Sequence, residues 1–303
     1  MMKQNWNIGN TVIGILMLVM LSGCGTDTKT EYILTSAPDS AYLVEYIPGT
    51  TTSGTMANAT TGKTTFKLRV RNRSTFAAVT GLSIQLTPTM HMATRDHGTP
   101  ADVVKESATP GSYDCTIYYL MASGTGAMGG YWDLQVKIGS ETAVFYPSVS
   151  MAMGTDIIRA TLKGQNDDLI SSTTGTSFRS YYLFKDGDAT NTSINLFLAS
   201  DGNFAQSYPM IYSGATLTNY QNIAWTVSSV LVEATTDTSS SWQSGTNAAS
   251  DGHWLVSGLS LTSAQTNTVY VRVTVNGSVK TTDGMVSNVS GTNTYATFTA
   301  TLP

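Results

Sequence analysis

Apolar and polar residues alternate over short stretches along most of this chain. The clearest examples are residues 64–71 and residues 131–138. In the first of them, Phe66, Leu68 and Val70 are separated by lysine and arginine. A period of two sends one set of side chains to a buried face and the other set to solvent. The pattern therefore predicts half-buried β-strands.

Similar stretches recur to the end of the chain, and long helical periodicity is absent. Further strands are predicted at 31–35, 42–46, 82–87, 112–119, 180–184, 193–199, 226–234, 254–261, 269–276 and 295–301. Clusters of Gly, Asn, Asp and Ser separate them at spacings typical of β-sandwiches. The predicted fold class is all-β, with two immunoglobulin-like β-sandwich domains in tandem.

The length of 303 residues allows two domains. The first set of strands ends near Gly139, and residues 140–154 could continue as a strand into a second unit. Signals are weak over 155–177, and clear strands return at residue 180. We therefore expect a first sandwich at 30–139 and a second, of unknown role, at 150–303.

The N-terminal residues have the pattern of an export signal. Lys3 precedes an apolar run over 12–21, which is too short to span a bilayer and has the length of a signal-peptide core. The run ends in Leu-Ser-Gly before Cys24, like a bacterial lipobox, so residues 1–23 are predicted to be cleaved and Cys24 acylated. Residues 24–29 would be the lipidated tether to the membrane. The alternative is an ordinary secretory signal that contains a cysteine.

The residue after Cys24 and the overall composition bear on the membrane location and on the class of partner. Gly25 follows Cys24 where an inner-membrane retention signal would place Asp, so the outer membrane is favoured, and the periplasmic and external faces both stay open. The formal net charge is −4 with 12% charged residues, and there is no basic patch, which argues against a nucleic-acid partner. Cys115 is the only other cysteine and lies in an alternating stretch, as expected of a buried, inert thiol.

One short segment concentrates potential metal ligands. It contains Met90, His91, Met92 and His97, two of the three histidines of the chain among them. Soft thioethers combined with imidazole suit copper better than zinc, calcium or magnesium. Alternation would put Met90 and Met92 on one face and His91 on the other, so a common site would need a bulge or turn near Met92. Asp96 could orient an imidazole through its second nitrogen.

The order of motifs over residues 40–138 resembles the YtkA-like domain family, which includes FixH-related proteins. The matching positions are Met90, His91, His97, Gly98, Pro100, Gly111, Tyr113, Met128, Gly130 and Trp132. Members are small β-sandwiches, commonly exported or membrane-tethered, and many are associated with copper handling or with assembly of copper-containing oxidases. Residues 122–127 are inserted relative to the family pattern, so either Met121 or Met128 could be the equivalent methionine.

Two functions remain open at this point. The first is a membrane-anchored lipoprotein that binds copper, as Cu(I) or Cu(II), for storage, delivery or sensing, with a copper-receiving oxidase or another protein as partner. The second is a structural or adhesive surface lipoprotein that binds a protein or a polysaccharide without metal. In that case the methionines fill the core, and Trp225, Trp242 and Trp254 are candidates for a sugar-stacking surface or for core packing. No triad order, paired-carboxylate signature or phosphate-cradling loop is present, so an enzyme is not expected.

Overall fold

The computed structural model describes residues 32–33, 40–49, 58–124, 130–154, 156–172, 174–203, 207–285 and 293–303. These residues form β-strands, turns and loops and contain no helix, so the all-β prediction is confirmed. In the same ranges no helix is long and apolar enough to cross a membrane. The predicted signal at 1–23, the tether at 24–29 with Cys24, and Met128 lie outside the described residues.

The described residues up to 154, called the first half here, form two main antiparallel sheets and one short parallel pair. The strands are β1 Tyr32–Ile33, β2 Tyr42–Pro48, β3 Ala59–Thr60, β4 Gly62–Asn72, β5 Ile84–His91, β6 Asp96–Gly98, β7 Lys105–Glu106, β8 Ser112–Tyr119, β9 Tyr131–Ile138, β10 Glu141–Phe145 and β11 Val149–Ser150. One sheet has the order β1-β2-β4-β8-β7 and the other β10-β9-β5-β6, while β3 pairs with β11. Their apolar faces share one core, which includes Leu68, Ile117, Trp132 and Leu134. The predicted one-sided strands at 64–71 and 131–138 are confirmed.

Residues 156–303, the second half, are dominated by a nine-stranded sheet. The strands are β12 Arg159–Lys163, β13 Leu169–Ser172, β14 Gly175–Phe178, β15 Ser180–Lys185, β16 Ser193–Ser200, β17 Thr216–Thr218, β18 Ala224–Thr226, β19 Val230–Thr235, β20 Gln243–Thr246, β21 His253–Ser257, β22 Thr266–Val275, β23 Ser278–Val279 and β24 Ala296–Thr301. The sheet runs β12-β15-β16-β21-β20-β19-β22-β23, and β24 also pairs with β22. It curls around a core of its own, and the Thr299 N–H donates to Ile157 O at 3.3 Å where its ends approach.

Two predicted strands of the second half are wrong in their bounds, for local reasons. The strand expected at 226–234 is interrupted because the Asn276 side-chain oxygen accepts hydrogen bonds from the N–H groups of Ser228 (2.8 Å) and Ser229 (3.2 Å). The strand expected at 254–261 ends at Ser257 because Gly258 has a φ of 83°, outside the strand region. Backbone conformation and side-chain capping therefore override alternation at both places.

A buried cluster joins the two halves. It contains Tyr118 and Leu120 of the first half and Phe184, Phe197 and Ala199 of the second. The rings of Tyr118 and Phe197 are stacked with centroids 3.9 Å apart. Residues Glu31–Pro303 group as one compact unit, and the division into two tandem immunoglobulin-like domains stays a prediction.

Candidate functional site

The methionine and histidine cluster lies on the hairpin of β5 and β6. Its register pairs Thr89 with Gly98, Met90 with His97, and His91 with Asp96. The turn between the strands is closed by the Met92 N–H, which donates to Arg95 O at 3.3 Å. Directly paired residues put their side chains on the same face, and successive residues alternate between faces. The register therefore decides which candidate ligands lie together.

The inner face of the hairpin carries both methionines. Met90 is 1% exposed in the core of the first half, and Met92 packs against the same core. Both side chains lie against Gly130 at the start of β9. A Cβ atom on Gly130 would come within 2.8 Å of Met90 Sδ and 3.0 Å of Met92 Cγ. Glycine at this position therefore leaves the space that the two side chains occupy.

His97 shares the inner face, because it is paired directly with Met90. Its ring is half-buried. Burial lowers the pKa of His97 below its usual 6.5, and the charge of Arg95 lowers it further, against opposing contributions from Asp201 and Asp96. The neutral imidazole, which has a free lone pair for a metal, is therefore the form present at neutral pH.

His91 lies on the outer face and has a different environment. Its Nδ1 is 3.1 Å from an Asp96 carboxylate oxygen, and its Nε2 is 3.8 Å from a carboxylate oxygen of Asp133. Its ring also packs on Tyr131, with centroids 5.0 Å apart. Both ring nitrogens thus face carboxylates, and the register separates His91 from Met90 and His97. Of the predicted ligand set, the hairpin brings together Met90, Met92 and His97 and leaves His91 with Asp96.

Of the remaining predicted ligands, Met121 lies within the described residues and Met128 does not. Met121 is 39% exposed beyond the end of β8, and its carbonyl oxygen accepts a 3.1 Å hydrogen bond from Trp132 Nε1. Cys115, expected from the sequence to be a buried and inert thiol, is buried, and burial raises its pKa far above the usual value, so the thiol stays protonated.

Clusters of three or more His, Cys, Asp and Glu side chains that could hold a metal ion are absent from the described part of the chain. Zinc and calcium sites are built from such groups. The β5–β6 hairpin offers a different donor set, the thioethers of Met90 and Met92 with the imidazole of His97, and soft sulfur with imidazole is a combination that copper accepts.

A charged network that the sequence did not reveal connects the two halves at His253. The His253 ring nitrogens lie 2.8 Å from Asp186 and 3.1 Å from Asp102. Asp186 also accepts from Lys63 Nζ and from the Tyr118 hydroxyl, each at 2.7 Å. Hydrogen bonds to Asp102 and Asp186 raise the pKa of His253 to about 10. These residues are dispersed from 63 to 253, so no local motif could have indicated the network.

The same network predicts a pH dependence of stability. Folding raises the pKa of His253 from 6.5, its value in the unfolded chain, to about 10. The protonated ring therefore stabilises the folded state fully below pH 6.5, and this contribution is lost as the pH rises through about 10. We expect the free energy of unfolding of the wild type to fall more steeply between pH 7 and pH 10 than that of His253→Gln. Equilibrium urea unfolding at a series of pH values measures both slopes. Equal slopes would show that the imidazolium does not bridge the halves.

Asp186 makes the stability of the folded state depend on pH at the acidic end. Burial alone would raise its pKa, but hydrogen bonds from His253, Lys63 and Tyr118 outweigh burial and hold the pKa at about 2. Its contribution is therefore present above the unfolded value of 3.8 and is lost as the pH falls through about 2. Because both nitrogens of His253 are engaged, the ring has no free position for acid–base chemistry and acts as a link between the halves.

A second buried network surrounds Asp168. Arg179 Nε donates to one carboxylate oxygen at 2.7 Å, and the Tyr181 hydroxyl donates to the other. Lys280 Nζ lies 3.4 Å from that second oxygen and makes no hydrogen bond with the described residues. Arg179 and Lys280 are both fully buried. One carboxylate therefore balances two cations in the interior.

The tryptophans of the second half are held in packing contacts. Trp254 is buried and donates from Nε1 to Ile211 O at 3.3 Å. The Arg272 guanidinium lies over Trp242 at 4.5 Å from the ring centroid, and that of Arg179 lies over Trp225 at 5.3 Å. Each of the three rings therefore has a packing or hydrogen-bond contact of its own.

Comparison with protein-family models finds no match, and comparison with curated proteins finds none either. The resemblance to the YtkA-like family therefore stays a prediction from the motifs between residues 40 and 138.

Proposed function

We propose that this protein is an exported, lipid-anchored lipoprotein that binds copper on the inner face of the β5–β6 hairpin. The proposed ligands are Met90, Met92 and His97. The observation that carries the proposal is their common face, with both methionine side chains against Gly130 and a half-buried imidazole paired with Met90. Storage, delivery or sensing of the metal would use the same site.

The donor chemistry favours Cu(I). Thioethers are soft ligands that stabilise the reduced ion, and an imidazole that is neutral at pH 7 binds without first losing a proton. Met90 would supply the buried side of the site, while Met92 and His97 are partly exposed and leave a path for the ion. Bound copper would supply one-electron chemistry, whereas the residues described here hold and release the ion.

The two histidines allow a matched test. We expect His97→Ala to weaken Cu(I) binding at least about 10-fold, a loss that even outer-shell substitutions at metal sites produce. His91→Ala, on the opposite face of the same hairpin, should leave the affinity within about twofold. The measurement is an anaerobic Cu(I) titration of the purified protein against a competing chelator. Equal losses in both variants, or no binding tighter than that of scattered surface histidines, would contradict the proposal.

A further inference from the structure

An open cleft of about 620 Å³ lies between the two halves of the chain. One wall is formed by β5 and the segment after β6, and the other by the β17–β18 hairpin together with Gly202 and residues 207–209. Its lining residues are Gln85, Leu86, Thr87, Pro88, Thr99, Ala101, Gly202, Ser207, Tyr208, Pro209, Thr216, Leu217, Thr218 and Ala224. The volume is in the range of small-ligand sites. None of Met90, Met92 and His97 is among the lining residues.

The lining of the cleft is uncharged and combines apolar side chains with polar ones. No Asp, Glu, Lys, Arg or His is among the lining residues. Within the described part of the chain, the side-chain polar atoms of Gln85, Thr87 and Thr216 make no hydrogen bond, so they are available to a ligand. Burial, together with the nearby charge of Asp201, raises the pKa of Tyr208, whose phenol therefore stays neutral. The cleft combines free hydroxyl and amide groups with an aromatic ring.

Both walls are held by buried hydrogen bonds. In the first half, Thr99 Oγ1 donates to Tyr118 O at 2.6 Å and accepts from the Leu120 N–H at 3.0 Å. In the second half, Arg179 donates to Asp201 O at 2.7 Å and to Thr218 O at 2.5 Å. The Arg179 guanidinium is itself fixed by Asp168. These hydrogen bonds hold the two walls in place at Thr99, Asp201 and Thr218.

We propose that this cleft binds an uncharged polysaccharide chain. A neutral glycan presents many hydroxyl groups for the free polar side chains and apolar C–H faces for Tyr208 and Pro209. A charged glycan would meet no opposite charge in the lining, and the formal net charge of −4 disfavours an anionic chain further. The inference does not depend on copper binding.

An extended peptide is the competing occupant, because β5 is paired with β9 along its length but with β6 only from Thr89 onwards. The remaining edge of β5 could in principle accept another strand. Pro88 removes one backbone donor from this edge, as prolines at sheet edges do. The unpaired edge of β5 is also short, so the polar side chains that line the cleft offer a ligand more hydrogen-bonding groups than the backbone of β5 does.

The test is affinity electrophoresis of the purified protein through gels that contain one polysaccharide each. The neutral probes are a mixed-linkage glucan, an arabinoxylan, a galactomannan and glycogen, and the charged probes are alginate and polygalacturonate. We expect retardation by at least one neutral probe and by neither charged probe. Retardation by charged probes alone, or by none, would overturn the proposal, as would binding of an uncharged threonine–valine peptide in preference to every glycan.

Variants with substitutions in the cleft test whether the polysaccharide binds there. Ala224→Trp fills the cleft from an exposed position, and Gln85→Ala with Thr216→Val removes two free polar groups, so each should weaken binding at least about 10-fold. Tyr220→Ala, an exposed tyrosine of the same hairpin outside the lining, is the matched control and should bind like the wild type. Thermal unfolding checks that all variants are folded. Wild-type affinity in both cleft variants, or an equal loss in Tyr220→Ala, would overturn the assignment.

Discussion

Asp168→Asn lowers the free energy of unfolding by about 3–5 kcal/mol, the cost of removing one partner from a buried ion pair. Asparagine has nearly the same shape as aspartate, so the change removes the charge and creates almost no cavity. Arg179 and Lys280 would then be two fully buried cations without a compensating anion. Equilibrium denaturant unfolding of the variant and the wild type measures the difference.

Asp114→Asn is the control for this prediction. Asp114 pairs with Lys67, and both side chains are about half exposed, at 53% and 49%. An exposed pair contributes about 0–1 kcal/mol, so its loss should be small. The double variant Asp168→Asn/Lys280→Met should recover part of the stability, because it removes one of the two uncompensated charges. Equal effects of Asp168→Asn and Asp114→Asn would contradict the account of the buried network.

Gly130→Ala is expected to destabilise the protein by about 1–3 kcal/mol, the usual cost of overpacking a dense region. The new Cβ atom would lie 2.6 Å from His91 O and 2.8 Å from Met90 Sδ. A methionine side chain can move, but the backbone oxygen is fixed by the β5–β9 ladder. Both methionines would be displaced from the face they share with His97, so Cu(I) affinity should fall together with stability.

Gln135→Ala is the control on the same strand. Gln135 is exposed on the outer face of β9, where a substitution should change stability by less than about 0.5 kcal/mol. Chemical denaturation and the chelator titration are applied to both variants. Wild-type copper affinity in a destabilised Gly130→Ala variant would show that the methionine side chains against Gly130 are core filler only.

The sequence predicted the first half well where one face of a strand is fully buried. The predicted strand at 112–119 matches β8, and that at 131–138 matches β9. In such strands a shift by one residue would expose every apolar side chain, so alternation is decisive. The strand predicted at 82–87 extends to His91, because pairing with β9 continues through Met90 and His91.

The candidate site was only partly predictable. Alternation alone indicated that Met90 and Met92 share a face that excludes His91. The position of His97 depends on the register of β5 with β6, which the turn at Met92–Arg95 determines. The networks of His253 and Asp168 join residues far apart in the chain, and single-sequence patterns carry no information on such pairs.

X-ray absorption spectroscopy of the Cu(I)-loaded protein tests the central claim most directly, because it identifies the atoms bound to the metal. We predict sulfur scattering from the two thioethers of Met90 and Met92 and a nitrogen contribution from one imidazole. The nitrogen contribution should be lost in His97→Ala and retained in His91→Ala. A first shell of nitrogen and oxygen alone, or a nitrogen signal that disappears in His91→Ala, would contradict it.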